Sequence, residues 1–231
     1  TVNEEWNCDK GRWAFKYEVA KNRITTPLVR DANGQLQEAS WPEALAAAAK
    51  GLKDSRAGVL VGGRATVEDA YGYSKFARVT LATNNIDFRS RVSSKEELDF
   101  LASVPTNATY KDIDNADHVV LINFEPEDES PIVFLRIYKQ VHKRSIRVTT
   151  IAALASRGTQ KLKANLIKTA AGNEVSAVNS ISGLTGKSVV LVGERAAETQ
   201  GALSAVAKLV KESGAKLGWV PRRAGERGAI A

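Results

Sequence analysis

Three stretches of this chain share one grammar: an apolar run that ends at glycine or asparagine, then a helix, then a second apolar run. In the first, Val59–Val61 precede Gly62-Gly63, and Thr66 with Asp69 has the spacing of a helix-capping pair. Ala70, Tyr73, Ala77 and Leu81 recur at helical intervals, Asn84-Asn85 break the pattern, and Ile86–Phe88 reads as a strand. In the second, Val119–Ile122 is a buried-type strand followed by the acidic loop Asn123–Glu129. Ser130 and Pro131 suit the cap and first position of a helix reaching about His142, and Ile146–Ile151 begins the next strand. In the third, Val189–Val192 leads to Gly193, a helix carries Leu203, Val206, Leu209 and Val210 as far as Gly214, and Leu217–Val220 is a strand. Short apolar strands joined through helices predict an α/β fold of mostly parallel sheets with helices on both faces. Ligands in such folds bind beyond the carboxyl ends of the strands. Here those ends carry Gly62-Gly63-Arg64, Asn123-Phe124-Glu125-Pro126 and Gly193-Glu194-Arg195.

The flanking segments read differently. Within residues 1–40, "RITTPLVRDANGQLQEAS" predicts a strand pair around the Asn33-Gly34 turn. Ser40 then caps a helix through Glu43 to Lys50, with Pro42 in its first turn. The predicted organisation is a lead-in over 1–40, an α/β domain over 41–155, a helix-containing connector over 156–187 and a further strand–helix–strand unit over 188–221. The tail 222–231 has no periodicity and is expected to be extended or poorly ordered.

Composition narrows the function classes. With 43% apolar and 26% charged residues the 231-residue chain is globular rather than disordered. One cysteine, Cys8, excludes a disulfide framework and suits a reducing compartment. No apolar run approaches a membrane span, and the acidic start is not a signal peptide. The chain has no methionine and opens on an acidic stretch leading straight to Cys8, so it reads as a piece of a longer protein. Net charge is +7. The excess is concentrated where Arg136, Lys139, Lys143, Arg144, Arg147, Arg157, Lys161, Lys163 and Lys168 meet no acidic residue between Glu129 and Glu174. Without a nucleic-acid motif or stacking aromatics, this block is expected to be a solvated helix face and loops, not a nucleic-acid site.

No dinucleotide or phosphate-loop glycine motif and no nucleophile elbow is present. His118 and His142 are isolated and suggest no metal cluster. Gly62-Gly63 serves a tight turn or a ligand's close approach. The carboxylates Glu125, Glu127, Asp128 and Glu129 either bind a cation or begin a helix. None of these features alone specifies a reaction.

Taken in order and spacing, "CDKGRW", "RITTPLVR", "ASWPEAL", "VGG", "TNNIDFRSR" and "VVLINFEPEDESP" resemble the molybdopterin oxidoreductase superfamily. "VNEEWNCDKGRWAFKY" and "LGWVPRRAGERGA" narrow the resemblance to the family of large peripheral-arm subunits of bacterial NADH:quinone oxidoreductase (respiratory complex I), of an actinobacterial kind. The resemblance implies a molybdopterin-oxidoreductase-like α/β fold, Rossmann-like over 41–155, preceded in 1–40 by the remnant of a 4Fe–4S domain. It matches Cys8 to the fourth cluster cysteine and Lys10 to the lysine between cluster and pterin, with Gly11 letting the backbone pass close. Gly62, Gly63, Asn123, Glu125 and Pro126 match cofactor-lining positions, either open to a cofactor or vestigial in this branch; the last three belong to a guanine-dinucleotide loop. Ser93 lies where many members place a molybdenum ligand, although Ser94 with Glu97 makes the better capping pair. The implied cofactor is a 4Fe–4S cluster completed by upstream residues, with molybdopterin not expected. The implied partners are other peripheral-arm subunits of complex I, on the cytoplasmic side of the membrane and without insertion into it, and the isolated chain would be inactive. Cys8 would then be an exposed free thiol prone to oxidation. The alternative is a piece of a molybdenum or tungsten bis-pterin enzyme of the formate dehydrogenase or nitrate reductase kind.

Overall fold

A computed structural model describes residues 4–89 and 94–230, apart from the Lys10 side chain. Ser93 and that side chain therefore lie outside the described residues. The chain opens with helix α1 (Asp9–Trp13) and a 3-10 turn over Ala14–Val19. Its N-terminal strap is tied to a later helix: Glu4 pairs with Lys139 at 2.6 Å, and the Lys139 ammonium lies 5.3 Å from the Trp6 ring centre. Strands β1 (Leu28–Arg30) and β2 (Leu36–Glu38) form the expected antiparallel hairpin, with Gly34 taking the left-handed conformation of its turn. Helix α2 (Trp41–Leu52) begins at a complete capping box: Glu43 N–H donates to Ser40 Oγ, and Ser40 N–H donates to the Glu43 carboxylate.

The first strand–helix–strand unit consists of β3 (Val59–Leu60), α3 (Val67–Lys75) and β4 (Ile86–Asp87). Thr66 and Asp69 form its capping box. The helical spacing read through Leu81 changes pitch, since Phe76–Thr80 is a π-helical segment. Strands β3 and β4 pair in parallel in a sheet of their own.

Beyond residue 94 lie α4 (Lys95–Ser103), α5 (Tyr110–Asn115), β5 (His118–Ile122), α6 (Pro126–Glu129), α7 (Pro131–Arg144) and β6 (Arg147–Ala152). They are followed by α8 (Arg157–Lys161), β7 (Asn165–Lys168), α9 (Glu174–Asn179), β8 (Ser188–Gly193), α10 (Ala202–Ser213), β9 (Lys216–Val220) and α11 (Glu226–Ile230). A five-stranded parallel sheet runs β7-β6-β5-β8-β9. Alternation splits its core into two layers. Val119, Leu121, Val189 and Leu191 pack with Phe134 and Ile137 of α7. Val120, Ile122, Val190 and Val192 pack with Val178 of α9 and Leu203 and Val206 of α10. Both faces are covered, which is why β5 and β8 are buried throughout and apolar at successive positions after His118 and Ser188 rather than alternating.

The structure corrects several expectations. Residues 156–187 are not a mere connector, because β7 within them pairs with β6 in the sheet. Residues 188–221 do hold a strand–helix–strand arrangement, β8–α10–β9, and it belongs to the same sheet because β8 pairs directly with β5. The tail is not extended: α11 forms there, with Glu226 fully buried. Residues 126–129 form a short helix, and Ser130 stands before α7 without a side-chain cap bond. The basic block is not wholly solvated. Arg136 is buried, pairs with Asp114 at 2.5 Å and lies 4.5 Å from the Tyr110 ring centre, a contact local charge counting does not reveal. Cys8 is half-buried rather than exposed, although it is a free thiol.

Candidate functional site, a divided cleft at the strand ends

From β5 the chain moves to β6 and β7 on one side, then returns to β8 on the other. The switch point between β5 and β8 is where an open parallel sheet makes its crevice. Two residues shape it. Asn123, just past β5, takes a left-handed backbone conformation. Gly193 ends β8 so close by that a Cβ there would stand 2.5 Å from the Asn123 carbonyl oxygen.

A cavity of about 460 Å³ opens above this point, lined in part by Asn123, Glu125, Thr169, Gly172, Glu174 and Thr199. Glu174 organises its polar floor. It accepts from Asn123 Nδ2 at 3.2 Å, from Gly172 N–H at 2.8 Å and from Thr199 Oγ1 at 2.7 Å. Burial would raise this carboxyl, but the bonds from Thr199, the backbone and Asn123 together hold it below the usual carboxylate range. Glu125 caps α6 by accepting from Glu127 N–H at 3.3 Å, and Gly158 lies against its carboxylate, where a Cβ would collide. Pro126 is buried behind the loop and does not line the cavity. Arg195 at the rim pairs with Glu129 at 2.6 Å.

A second cavity, of about 330 Å³, lies beyond the ends of β3, β4 and β8 and shares Glu198 with the first. Gly62 and Gly63 line it, together with Arg64, Arg89, Arg222 and Arg223. Arg89 is buried and pairs with Glu97 at 2.8 Å. Burial works against its charge, but the ion pair more than offsets this and raises its pKa. Glu194 is pushed up by burial and then by contact with the Glu226 carboxyl, against the pull of Arg222 at 3.5 Å.

The structure thus brings Gly62 and Gly63 to one cavity and Asn123 and Glu125 to its neighbour, while Gly11 lies in helix α1 and Cys8 just before it. Sequence reading missed Glu174, Thr199, Arg89 and Glu226. Asn123 and Glu174 are 51 residues apart, and nothing near either marks the other as partner.

The residues can be tested against the groups the fold implies. At the switch point the open cavity offers a nucleotide-like group the second Asn123 amide N–H as donor and the Glu125, Thr169 and Thr199 oxygens as acceptors, since the two hydroxyls already donate to Ile167 and Glu174. At the glycine turn, Arg223 and Glu226 fill the side of Gly63 where a Cβ would stand, while Gly62 has open space beside it and both glycines line the second cavity. Among the described residues no group of three or more His, Cys, Asp or Glu can hold a metal, and Cys8 is the only cysteine in the sequence. A 4Fe–4S cluster therefore cannot be completed by this chain's own thiolates.

This geometry agrees with the comparisons to known proteins. A profile of the family described as Molybdopterin oxidoreductase matches residues 23–211, and the chain belongs to that family. Within it, the chain is 52% identical to the G subunit of NADH-quinone oxidoreductase from Mycobacterium bovis, over 99% of this chain and 30% of that protein. It is 45% identical to the corresponding G subunit from Streptomyces coelicolor, over 99% of this chain and 31% of that protein. It is 32% identical to the alpha subunit of F420-dependent formate dehydrogenase 1 from Methanococcus maripaludis, over 62% of this chain and 22% of that protein. The chain thus spans about a third of the G-type relatives. Among the described residues, no helix is long and apolar enough to cross a membrane.

Proposed function

We propose that this chain is the first molybdopterin-oxidoreductase-type portion of a G subunit of NADH:quinone oxidoreductase, with a structural and electron-transfer role and no catalysis of its own. The observation that carries this reading is similarity to the G subunits over 99% of the chain, against 62% for the formate dehydrogenase. Cys8 supplies one thiolate to a 4Fe–4S cluster off the main electron path, and Lys10 favours the reduced, more negative cluster. Asn123, Glu125 and Pro126 persist as a structural loop at the old dinucleotide end. The partners are other peripheral-arm subunits, on the cytoplasmic face of the membrane.

The test uses the longer natural protein that contains this chain. Iron–sulfur absorbance and electron paramagnetic resonance are compared with and without Cys8→Ala, alongside molybdenum and tungsten analysis. The expected result is loss of one 4Fe–4S signal in the variant and neither metal above background. A full equivalent of molybdenum or tungsten would instead establish the bis-pterin oxidoreductase reading, which the formate dehydrogenase similarity favours. Retention of every cluster signal in the variant would remove Cys8 from the ligand set.

A further inference from the structure

The carboxyl ends of the strands make the divided cleft, and the amino ends of the same parallel sheet carry a cavity of their own. His118, Arg147 and Asn165 are the first residues of β5, β6 and β7. Together with Thr149, Ser145 and Lys163 they line an open cavity of about 450 Å³, and Val141, Ile146 and Val148 give it an apolar wall. No described carboxylate lines it. Asp117, next to His118 in the chain, accepts instead from Ser188 Oγ at 3.3 Å.

The cations of this cavity differ from those of the cleft. At the carboxyl ends Arg195, Arg222 and Arg223 each face a glutamate, at 2.6, 3.5 and 2.6 Å. At the amino ends neither Arg147 nor Lys163 makes an ion pair or a side-chain hydrogen bond with a described residue. Complementing a helix end does not account for them, because the last turn of α7 already carries His142, Lys143 and Arg144. Lys163 also takes a left-handed backbone conformation, with φ of 49°, which glycine or asparagine adopts at less cost. Stability alone would favour glycine there, so the ammonium needs another reason.

His118 adds a polar group to the same wall. It is buried, its Nε2 lies 2.9 Å from Thr149 Oγ1, and its Nδ1 is buried without a partner. Burial, then the Arg147 charge, holds the imidazole below its ordinary pKa, so it is neutral at neutral pH. When Thr149 donates to Nε2, Nδ1 carries the proton and can donate.

We propose that this cavity binds a small phosphate monoester with a compact apolar body. The two unpaired cations match the charge of about −1.5 to −2 that such a group carries near neutral pH, whereas a carboxylate would neutralise only one of them. Ser145 Oγ, Asn165 Nδ2 and His118 Nδ1 supply neutral donors for the terminal oxygens, and Val141, Ile146 and Val148 receive the body. The site lies at the opposite end of the sheet from the cleft and does not depend on the complex I reading.

Phenyl phosphate is the probe, titrated into the full chain and followed by nuclear magnetic resonance at the amides of 145–149 and 163–165 and at the His118 ring. Saturable shifts should be confined to these positions and weaken as salt rises from about 20 to about 200 mM. In the bound form the His118 proton should sit on Nδ1. Benzoate, with one charge, and inorganic phosphate, with no apolar body, should each bind about tenfold more weakly. Arg147→Gln combined with Lys163→Gln should weaken phenyl phosphate by at least about tenfold. Lys163→Gly should weaken binding while the urea midpoint stays the same or rises, an outcome that a structural lysine would not give. The proposal is overturned by shifts spread over basic residues elsewhere, by undiminished binding in the double variant, or by benzoate or inorganic phosphate binding as tightly as phenyl phosphate. A bound His118 protonated on Nε2, or a Lys163→Gly variant that loses stability and keeps its affinity, would also overturn it.

Discussion

In the five-stranded sheet, His118–Ile122 and Ser188–Gly193 are buried at every position, whereas Leu28–Arg30, Leu36–Glu38 and Trp41–Leu52 contribute no buried residue. Both regions carry well-formed local signals. The hairpin has its glycine turn, and α2 has a complete capping box. The difference is partners: β5 has a strand on each edge and helices on both faces, while β3 and β4 pair only with each other, over two residues each. Trp41, Leu45, Tyr71 and Val79 remain exposed beside them. Capping and turn chemistry are enough to shape an element, at about 1 kcal/mol each. A core needs buried side chains, each contributing roughly 1.5–3 kcal/mol.

The largest effect should come from emptying the sheet's core. Ile137 on α7 is fully buried against β5 and β8. Ile137→Ala should cost about 2–5 kcal/mol in urea unfolding followed by far-ultraviolet circular dichroism. Leu45→Ala, at a position 61% exposed on α2, should change stability by less than about 0.5 kcal/mol. Equal costs at the two positions would show that α2 is buried in solution and would erase the contrast.

A smaller effect is expected at the cleft floor. Glu174→Gln keeps the shape but puts an amide where the carboxylate accepts from Asn123, Gly172 and Thr199, and it should cost about 2 kcal/mol at neutral pH. The sign of the pH dependence follows from the lowered carboxyl. The stabilisation is present above the unfolded carboxylate value near about 4.3 and is lost as pH falls through the lower folded value. Wild type and variant should therefore draw together in stability as pH falls below the unfolded carboxylate value, and meet only below the lower folded one. Thermal unfolding from pH 7 downward checks this, and a gap that stays constant would mean the charge of Glu174 contributes nothing.

How much of this was legible in the sequence depends on how far apart the interacting residues lie. "VVLI" and "VVLV" read as buried strands because every residue in them reports its own environment, and Ser40 with Glu43 or Thr66 with Asp69 report a cap within three residues. Asn123, Glu125 and Gly193 were readable as residues at the mouth of a cleft because crevices form at strand ends. Strand β7 was hidden because "NLIK" is four residues in a basic run, and its state is decided by pairing with β6. Arg136 looked like solvated charge because its partner Asp114 lies on a different helix. The docked tail was hidden most deeply: Gly225 answers to Gly63 and Ala65, and no local period can encode a contact of that range.

The smallest predicted effect asks whether the exposed region belongs to the same cooperative unit as the sheet. Ser40→Ala removes the acceptor for Glu43 N–H and leaves the Glu43 carboxylate without its Ser40 Oγ partner. Helix α2 should lose about 1 kcal/mol. Because no residue of α2 is buried, that loss should stay local. Hydrogen exchange within Trp41–Leu52 should quicken by about fivefold, while the urea midpoint of the sheet stays unchanged. If the midpoint moves with the exchange rate, the two regions unfold together, and the contacts of α2 with β1 and the β3–β4 unit are stronger than its exposure implies. If only the exchange rate moves, α2 is a separately fraying element whose stability comes from its cap and its helix-forming alanines rather than from a core.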